Sequence, residues 1–444
     1  MEIGNEFQVV HEGYGAKEAI DEAKRCLHCK VPQCRKGCPI ENDIPEFVHA
    51  LSMGNMGMAM SIINERSNLP AICGRVCPHE KQCQGHCILG KKGQPIQIGK
   101  LEQFVADFDT NMELIRERLP QKTRGRVAVI GSGPAGLAVA GDLARKGFNV
   151  TIFEAQEEAG GVLMFGIPEY RLPKAIVRKE IEKIAALGVD FRLHTTVGRN
   201  GVTVDSLFAE GYDAIFIGTG TNVPNNMNNI EGHNLRGVNQ STYLLHQVNV
   251  FNEGAITRDL VPVDPGDRVA VIGGGNVSMD AARTAIRLGA DVTILFRGTE
   301  EEIPANQIEY KEALQEGVKF WWQTTCEEFI GEDGRLKAIR VKAPDGERIE
   351  KCDRVFLAIG SRPANRIVST TEGIDVDEKG YVIVNERPKG MTTRRGVFAG
   401  GDVVHRPQTV VLAMKAAKEV ADGIAQYVDA VKLLEVAENI EKKA

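Results

Sequence analysis

The sequence lacks any apolar run of the roughly 18–20 residues that a membrane-spanning helix needs. Its first residues, MEIGNEFQVVHEGYG, also lack the basic and apolar regions of a signal peptide. Basic residues are not in excess, because the formal net charge is −6, and this argues against a general nucleic-acid binder. These absences predict a cytoplasmic protein with no membrane span and no nucleic-acid partner.

Cysteine is abundant only near the N-terminus, where eight of the ten cysteines form two short runs. The runs are Cys26-x2-Cys29-x4-Cys34-x3-Cys38-Pro39 and Cys73-x3-Cys77-Pro78-x4-Cys83-x3-Cys87. Soft thiolate ligands in fours select zinc or iron–sulfur clusters. A Cys-Pro pair that ends such a run is typical of ferredoxin-type [4Fe–4S] ligation, in which the last cysteine often binds the other cluster. Disulfides are the alternative, but a cytoplasmic chain disfavours them.

A strand, a glycine turn and a helix follow from Arg126, in the segment RVAVIGSGPAGLAVAGDLARKG. Gly131 permits the tight turn, Gly133 lets a pyrophosphate approach the backbone, and Gly136 lets helix and strand pack closely. The phosphates then lie at the positive end of the helix dipole. Glu154 ends the next strand, NVTIFEA, where an acidic side chain accepts hydrogen bonds from ribose hydroxyls. The segment predicts a dinucleotide site, and a glycine turn without a ligand is the alternative.

The same pattern returns in DRVAVIGGGNVSMDAARTAIRLGA, which is followed by the strand DVTILFR. Here the loop reads Gly273-x-Gly275-x-x-Ser278, so the third glycine is replaced and we expect the helix to stand slightly further from the strand. The next strand ends on Arg297, which can pair with a 2′-phosphate and favours NADP over NAD, unless it is an ordinary solvated arginine. The internal repeat predicts two dinucleotide-binding units, each with a parallel sheet.

The cysteine runs and the segments VAVIGSGPAGLA, GGVLMFGIPEYRLPK, VIGGGNVSMDAAR and AGGDVV together resemble those of the glutamate synthase small-subunit family. The chain is also similar to the large subunit of NADH-dependent reduced ferredoxin:NADP oxidoreductase and to the N-terminal half of dihydropyrimidine dehydrogenase. The resemblance implies an α/β fold, in which a helical N-terminal domain with two iron–sulfur clusters precedes two Rossmann-like domains of the glutathione/thioredoxin-reductase type. The implied boundaries are 1–120 for the helical iron–sulfur domain, 121–235 and 372–444 for the two parts of the FAD-binding domain, and 236–371 for the inserted NAD(P)-binding domain.

The resemblance also implies where the nucleotides bind. FAD would occupy the first glycine loop, with these residues at FAD positions: Gly131, Gly133, Ala135, Glu154, Gly161, Leu163, Gly166, Ile167, Arg171, Gly401, Asp402, Thr409 and Val410. A nicotinamide nucleotide, NADP(H) or NAD(H), would occupy the second loop, with contacts from Gly273, Gly275, Asn276, Val277, Arg297 and Gly360. The family usually has a second arginine where this chain has Gly298, so part of the 2′-phosphate clamp is missing.

For the clusters, the resemblance implies that the two cysteine runs are shared. The first cluster would be bound by Cys26, Cys29, Cys34 and, from the helix IGKLEQF, Glu102. The second would be bound by Cys38, Cys77, Cys83 and Cys87, which leaves Cys73 without a metal. Spacing alone would pair the cysteines four by four in sequence order, but the Cys38-Pro39 pair favours a swapped last ligand.

No side-chain acid, base or nucleophile is predicted to be catalytic, because the cofactors would supply the chemistry. The resemblance implies an FAD and iron–sulfur oxidoreductase subunit that moves electrons between NAD(P)H, FAD and [4Fe–4S] clusters to a partner oxidoreductase subunit or a ferredoxin, with flavin-based electron bifurcation as one mode. The alternatives are the electron-input small subunit of NADPH glutamate synthase, a self-standing ferredoxin:NADP or sulfide oxidoreductase, and a non-enzymatic zinc-bound scaffold. Basic residues near the first cysteines could steer an acidic partner, or could be ordinary solvated charge: Lys24, Arg25, Lys30, Arg35 and Lys36.

Overall fold

The computed structural model of this chain describes residues 7–10, 12–112, 117, 119–407 and 409–441. These residues fold into two compact units. The inserted unit comprises Val223–Ser361, Phe165–Tyr170 and the described residues that precede Val10. The larger unit comprises the remaining described residues on either side of those segments. In the described part of the chain, no helix is long and apolar enough to cross a membrane.

Short helices surround the cysteines at the start of the larger unit. They are α1 (Ala16–Lys24), α2 (Gln33–Gly37), α3 (Ile44–Ser52), α4 (Met56–Asn64), α5 (Pro70–Val76), a 3₁₀ turn (Ile88–Lys91) and α6 (Ile98–Met112). Pro45 and Pro70 lie in the first turns of α3 and α5, where a missing N–H costs no helical hydrogen bond. The apolar faces of these helices meet in one core, which includes Phe47, Leu51, Met60 and Leu101.

A parallel α/β part of the larger unit follows. Its elements are β1 (Gly125–Ile130), α7 (Pro134–Arg145), β2 (Phe148–Phe153), α8 (Val162–Phe165), α9 (Lys174–Ala186), β3 (Val189–Arg192), α10 (Val204–Ala209) and β4 (Ala214–Ile217). In both β1 and β2 only the second residue is exposed, which is typical of parallel strands that are covered on both faces. The first glycine loop therefore lies at the carboxyl end of a buried strand.

The inserted unit contains a second parallel sheet and an antiparallel sheet. Its elements are β5 (Val223–Pro224), β6 (Val238–Gln240), α11 (Ser241–Asn252), β7 (Arg268–Ile272), α12 (Asn276–Arg287), β8 (Asp291–Leu295), α13 (Gln307–Gln315), β9 (Lys319–Trp321), β10 (Thr325–Glu332), β11 (Arg335–Ala343), β12 (Gly346–Lys351) and β13 (Arg354–Leu357). The parallel sheet has the order β6-β13-β7-β8-β9, and β10-β11-β12 form the antiparallel meander. The second glycine loop lies between β7 and α12.

The chain then returns to the first sheet. The last elements are β14 (Ser361–Arg362), α14 (Arg366–Ser369), β15 (Val384–Glu386), β16 (Lys389–Thr392), β17 (Val397–Ala399), a 3₁₀ turn (Gly401–Val403) and α15 (Val410–Glu441). β17 pairs in parallel with β4, which completes a seven-stranded sheet of order β15-β16-β17-β4-β1-β2-β3. The larger unit is therefore discontinuous in sequence, as expected for a domain that carries an insertion.

The boundaries of the inserted unit differ from the expected 236–371, because the unit runs from 223 to 361. Residues before 236 belong to it because they bond to its antiparallel sheet, where Phe329 N donates to Glu231 O at 2.9 Å. The segment Phe165–Tyr170 also belongs to it, although it lies in the expected first part of the FAD-binding domain.

The helical region, expected as a separate domain over 1–120, packs within the larger unit. Asn68, which lies between α4 and α5, is buried against α7. Its Nδ2 donates to Ala138 O at 3.1 Å and to Asp142 Oδ1 at 2.7 Å. A buried side-chain amide with these partners is costly to separate from α7, so the two parts are held together.

A buried ion network joins α12 to α13 in the inserted unit. Arg283 is fully buried, and its guanidinium lies 2.8 Å from Glu312 and 2.7 Å from Glu316. Burial alone would raise the pKa of Glu316, but hydrogen bonds from Arg287 and Arg283 outweigh it and lower that pKa to about 2. Both guanidiniums also lie over the Tyr170 ring, which ties the segment Phe165–Tyr170 to this unit.

Replacing Arg283→Met should destabilise the inserted unit by about 3 kcal/mol, the lower end for breaking a buried ion pair, because Glu312 and Glu316 lose the fully buried guanidinium while Arg287 still pairs with Glu316. Lys319→Met, which breaks an exposed pair with Asp291, is the matched control and should cost at most about 1 kcal/mol. The two tryptophans of the chain, Trp321 and Trp322, both lie in this unit, so their fluorescence during urea unfolding reports on it. Equal losses for the two variants would contradict a stabilising role for the network.

Candidate functional site

Four thiols line one cavity in the helical region. Cys26 follows the end of α1, Cys29 and Cys34 lie in the loop and short helix that come next, and Cys87 immediately precedes the 3₁₀ turn. Burial raises the pKa of Cys34 to about 11, and the charges of the other three thiols act in the same direction. Burial also raises the pKa of Cys26. These four thiols therefore form one group, the outer thiol group.

Three further thiols and one carboxyl form the inner thiol group. Cys38 follows α2, Cys77 follows α5, Cys83 lies in the loop after it, and Glu102 lies on α6. Burial raises the pKa of Cys38 to about 12 and that of Cys83 well above its usual value, and the charge of Glu102 adds to both. Contact with the Cys73 thiol and burial likewise raise the pKa of Cys77, again with a contribution from Glu102. Burial raises the pKa of Glu102 itself to about 8.

Cys73 adjoins Cys77 of the inner thiol group and also contacts α15. Its side chain is buried, and its Sγ lies 3.7 Å from Met414 Sδ on α15. The eighth cysteine of the N-terminal runs is thus part of the packing between α5 and α15.

In the two thiol groups, Cys87 and Glu102 have changed places relative to the expected ligand sets. The resemblance predicts Glu102 with Cys26 and Cys87 with Cys38. The structure instead places Cys87 in the cavity with Cys26, and Glu102 beside Cys38. The predicted ligand sets stay a prediction, and the grouping of the side chains favours the exchanged sets.

Two packing contacts explain this exchange. A Cβ on Gly74 would lie 2.6 Å from Gln103 N, so α5 and α6 touch backbone to backbone and bring Glu102 toward the end of α5. After Cys87, the chain turns back to α1, where an Arg25 guanidinium nitrogen donates to Gln94 O at 2.8 Å. Neither contact follows from cysteine spacing.

Both thiol groups supply the soft thiolate ligands that iron–sulfur clusters take. Among the described residues, no three His, Cys, Asp or Glu side chains are placed to hold one metal ion. A cubane cluster spaces its ligands more widely, because its iron and sulfide atoms lie between them. All ten cysteines are free thiols, and ligation requires the thiolate form. Burial opposes ionisation of these thiols, so a bound metal centre would be needed to keep them as thiolates.

The first glycine loop connects β1 to α7 in the larger unit. Gly131 has φ 95°, a conformation that glycine adopts without strain. No heavy atom lies within 4 Å of a Cβ placed on Gly133, so its backbone faces open space at the N-cap of α7. A Cβ on Gly136 would lie 1.9 Å from Gly131 O, so only glycine lets helix and strand pack here. The loop leaves room for a pyrophosphate at the helix N-terminus.

Glu154 is held at the end of β2 by the glycine loop itself. Its Oε2 accepts hydrogen bonds from Ser132 N at 3.0 Å and from Ser132 Oγ at 2.5 Å, and its Oε1 accepts from a backbone N–H at 2.8 Å. A carboxylate has about four acceptor positions, so one is left for a ribose hydroxyl. Ser132 Oγ also accepts from Gly160 N at 2.9 Å, and a Cβ on Gly161 would lie 3.1 Å from Gly133 Cα. The turn at Gly160 and Gly161 therefore packs on the loop.

The late motif lies beside the same loop. A Cβ on Gly401 would lie 2.8 Å from Ala135 Cβ, so the 3₁₀ turn Gly401–Val403 and the start of α7 are in contact. Asp402 is half-buried, and this burial raises its pKa to about 6. The structure thus brings residues of both parts of the discontinuous unit to one place.

Helix α15 begins at this point. Val410 is its first residue, and Thr409 precedes it, with Thr409 Oγ1 accepting from Leu412 N at 3.4 Å. The unpaired N–H groups of a first turn and the helix dipole give this end a partial positive charge. An open pocket adjoins it, lined by Gly401, Asp402, His405, Arg406, Leu412, Ala413, Lys415, Ala416 and Glu419.

The remaining predicted FAD residues are divided between the two units. Leu163 is fully buried in the larger unit. Gly166 and Ile167 lie in the inserted unit, where Ile167 O accepts from Asn249 Nδ2 at 3.1 Å. Their contact with FAD stays a prediction.

The glycine motifs do not identify two further residues near the first loop, Ser132 and Lys174. Ser132 joins Glu154 to the next glycine turn, and its place between two glycines of the loop was the available signal. Lys174 is 1% exposed at the start of α9, and its Nζ donates to Leu163 O and Leu172 O at 3.1 Å each. A lysine is seldom fully buried, but only the structure reveals this burial. Arg171 lies half-buried three residues earlier.

The second glycine loop repeats this geometry in the inserted unit. Gly273 has φ 140°, and no heavy atom lies within 4 Å of a Cβ placed on Gly275. Asn276 Oδ1 accepts a backbone N–H at 2.8 Å from the segment before α13, and Val277 is 43% exposed. Ser278 replaces the third glycine and is fully buried, with its Oγ 2.8 Å from a Cβ on Gly273. The loop offers the N-terminus of α12 to an anion.

The end of β8 carries one arginine. Arg297 is exposed there. A Cβ on Gly298 would lie 2.7 Å from Glu302 Oε2, which itself accepts from Thr299 N at 2.9 Å. Gly360 has φ 89° in the loop after β13. The structure thus provides one cation, with a carboxylate close to the position where a second arginine is expected.

Comparison with known proteins identifies the family of this chain. The family model described as dihydropyrimidine dehydrogenase domain II, 4Fe-4S cluster, matches residues 3–114, and the one described as pyridine nucleotide-disulphide oxidoreductase matches residues 125–417. The glutamate synthase [NADPH] small chain of Halomonas elongata is 34% identical, over 96% of this chain and 94% of its own length. The NAD-dependent dihydropyrimidine dehydrogenase subunit PreT of Escherichia coli K12 is 33% identical, over 93% and 94%.

Among solved structures, the thioredoxin reductase of T. acidophilum aligns with a TM-score of 0.53. The alignment covers 69% of this chain and 98% of that one at 20% identity, so it bears on the fold alone. The predicted fold class is confirmed, since a helical 4Fe-4S region precedes thioredoxin-reductase-like α/β domains. The relatives are oxidoreductases, and so is this chain. It belongs to the family of glutamate synthase small chains and related pyridine nucleotide-disulphide oxidoreductases, which carry an N-terminal 4Fe-4S domain.

Proposed function

We propose that this chain carries electrons between a nicotinamide nucleotide and a partner redox protein, by way of FAD and two [4Fe–4S] clusters. The observation that supports this most strongly is the presence of the outer and inner thiol groups in the same unit as the first glycine loop. When bound, FAD accepts an electron pair as a hydride, and the clusters carry single electrons. Electron bifurcation stays a prediction from the family resemblance.

The larger unit has a suitable group for each part of FAD. The backbone at Gly133 would receive the pyrophosphate, and Glu154 would accept a hydrogen bond from the ribose. Asp402 would accept one from a ribityl hydroxyl. The positive end of α15 at Thr409 would stabilise negative charge on the flavin ring. In this proposal the chain binds and orients FAD and tunes its reduction potential. It supplies no side-chain acid, base or nucleophile.

The cluster ligands follow the geometry of the two thiol groups. The first cluster would be bound by Cys26, Cys29, Cys34 and Cys87. The second would be bound by Cys38, Cys77, Cys83 and Glu102. A carboxylate oxygen in place of a thiolate should give the second cluster a reduction potential distinct from that of an all-cysteine site.

The nicotinamide nucleotide would bind the second glycine loop. The N-terminus of α12 at Gly275 suits its pyrophosphate, and Arg297 suits a 2′-phosphate. Because Gly298 offers no second cation, discrimination between NADPH and NADH would depend on Arg297 alone.

An acidic redox partner would dock beside the outer thiol group. Cations there are exposed and form no ion pair with another described residue: Lys30, Lys36, Lys91 and Lys92. Apolar side chains between them are also exposed, with Leu27 and Val31 each at 58% and Ile88 at 39%. A basic rim around an apolar centre suits an acidic partner, which charge steers to the site. The names of the relatives describe chains of larger enzymes, which favours a partner subunit.

Anaerobic titration of the purified chain with NADPH should bleach its flavin absorbance. Arg297→Ala should lower kcat/KM for NADPH by about tenfold or more and leave that for NADH unchanged, because one charge-assisted hydrogen bond worth about 1.5–3 kcal/mol is lost. Arg335→Ala, at an exposed arginine of the same unit, is the control. No bleaching by either nucleotide would contradict the proposed function, and an unchanged nucleotide ratio would contradict only the role of Arg297.

The ligand sets can be separated by iron content and EPR. Cys87→Ala and Cys26→Ala should lose the same cluster signal, and Cys77→Ala should lose the other. The matched control is Cys73→Ala, which should retain about eight iron atoms per chain, since its thiol contacts Met414. If Cys87→Ala removed the signal that Cys77→Ala removes, the exchange described above would be incorrect.

FAD affinity should decrease as the pH falls through about 6, where the half-buried Asp402 carboxyl becomes neutral. The raised pKa means that the charge is present only above this pH, and a carboxylate accepts a stronger hydrogen bond than a neutral carboxyl does. Flavin fluorescence titrations of the deflavo-protein give the dissociation constant at each pH. Asp402→Asn should flatten the profile near pH 6, whereas Asp190→Asn, at an exposed site, should not. A wild-type affinity that is constant across this range would refute the role of Asp402.

A further inference from the structure

The segment that follows β8 returns to the second glycine loop. Ala305 N donates to Gly274 O at 3.1 Å. Asn306 N donates to Asn276 Oδ1 at 2.8 Å. In a dinucleotide-binding fold, the end of the strand after the glycine loop reaches the adenosine ribose and its 2′ position. The residues from Arg297 to Asn306 therefore border the place where the 2′ group of a nucleotide would lie.

One carboxylate of this segment is held in place by the backbone. Glu302 Oε2 accepts a hydrogen bond from Thr299 N at 2.9 Å, at the start of the 3₁₀ turn Glu300–Glu302. A Cβ on Gly298 would lie 2.7 Å from the same oxygen, so the carboxylate adjoins the position where a second arginine side chain would begin. Glu302 is exposed and forms no ion pair with Arg297 or any other described residue. Its charge is therefore not neutralised by a neighbouring cation.

We propose that Glu302 is a specificity-determining residue that weakens the binding of a nucleotide with a 2′-phosphate, and so shifts the preference of the site from NADPH toward NADH. This role rests on the proposed function, which assigns a nicotinamide nucleotide to the second glycine loop. A carboxylate and a 2′-phosphate repel each other, and a site can reject one ligand through such a like-charge contact. At this position NADH has a neutral hydroxyl, which can donate a hydrogen bond to a carboxylate.

Arg297 and Glu302 act in opposite senses on the 2′ group. The guanidinium attracts the phosphate, and the carboxylate adds a repulsion to that attraction. Because both side chains are exposed, water screens their charges, and we expect removal of the Glu302 charge to change the affinity roughly fivefold. Glu302→Gln separates this charge from a structural role, because the side-chain oxygen of glutamine still accepts a hydrogen bond from Thr299 N.

The test is nucleotide binding to the full, oxidised chain. Adenosine 2′,5′-bisphosphate and 5′-AMP differ only in the 2′-phosphate, and neither carries electrons. Quenching of tryptophan fluorescence gives their dissociation constants, since the Trp322 ring lies 6.2 Å from that of Phe296, the residue before Arg297.

Glu302→Gln should bind adenosine 2′,5′-bisphosphate roughly fivefold more tightly than the unmodified chain does, because the repulsion is removed. Glu302→Lys should bind it more tightly still, because an attraction replaces the repulsion. The affinity for 5′-AMP should stay unchanged in both variants. The matched control is Glu347→Gln, which removes an exposed charge from β12 of the same unit and should change neither dissociation constant.

An affinity for adenosine 2′,5′-bisphosphate that is unchanged or weaker in Glu302→Gln would overturn the role of Glu302. If fluorescence did not report binding, the rates of flavin bleaching would decide, because the ratio of the NADPH rate to the NADH rate should rise in Glu302→Gln and an unchanged ratio overturns this role. A chain that either nucleotide bleaches, but whose preference does not respond to Glu302, would leave the proposed function intact. A chain that neither nucleotide binds or bleaches would overturn the proposed function as well.

Discussion

The packing of helix α5 against α6, α9 and α15 is the constraint on which the arrangement of the thiols in the larger unit depends. Its Gly74 has no side chain, so the backbone of α6 approaches closely and Glu102 reaches the inner thiol group. Its Ala71 N–H binds Glu180 of α9 at 3.2 Å, and its Cys73 thiol contacts Met414 of α15 at 3.7 Å. This short helix therefore joins the thiol-rich region to α9 and α15, which belong to the two parts of the discontinuous α/β region.

This joining has a consequence for electron transfer. The helical region is packed in the same unit as the first glycine loop, and Asn68 donates two hydrogen bonds across the contact. Centres held in one packed unit keep a constant separation, because protein interiors are as dense as organic crystals. The second glycine loop belongs to the other unit, where its own sheet and a buried arginine network support it.

Local patterns predicted much of the fold and of the candidate site. Both glycine loops lie between a strand and a helix, as their spacing indicates, and Glu154 and Arg297 lie at the ends of the next strands. The fourth member of each thiol group differs between the family resemblance and the grouping in the structure. Cys87 and Glu102 are far in sequence from their thiol partners Cys26 and Cys38, and the packing of α6 on α5 and the return of the chain to α1 bring them there.

The sequence alone determined the family, the order of the domains, the two nucleotide loops and the set of thiols available for clusters. These features are local, because turn chemistry and the alternation of strand and helix act over a few residues. Only the tertiary structure decided which thiols share a site and that 165–170 joins the inserted unit. It also decided that Glu180 and Lys174 are buried near the sites. Such features depend on contacts between residues that are distant in the chain, and no spacing rule encodes those contacts.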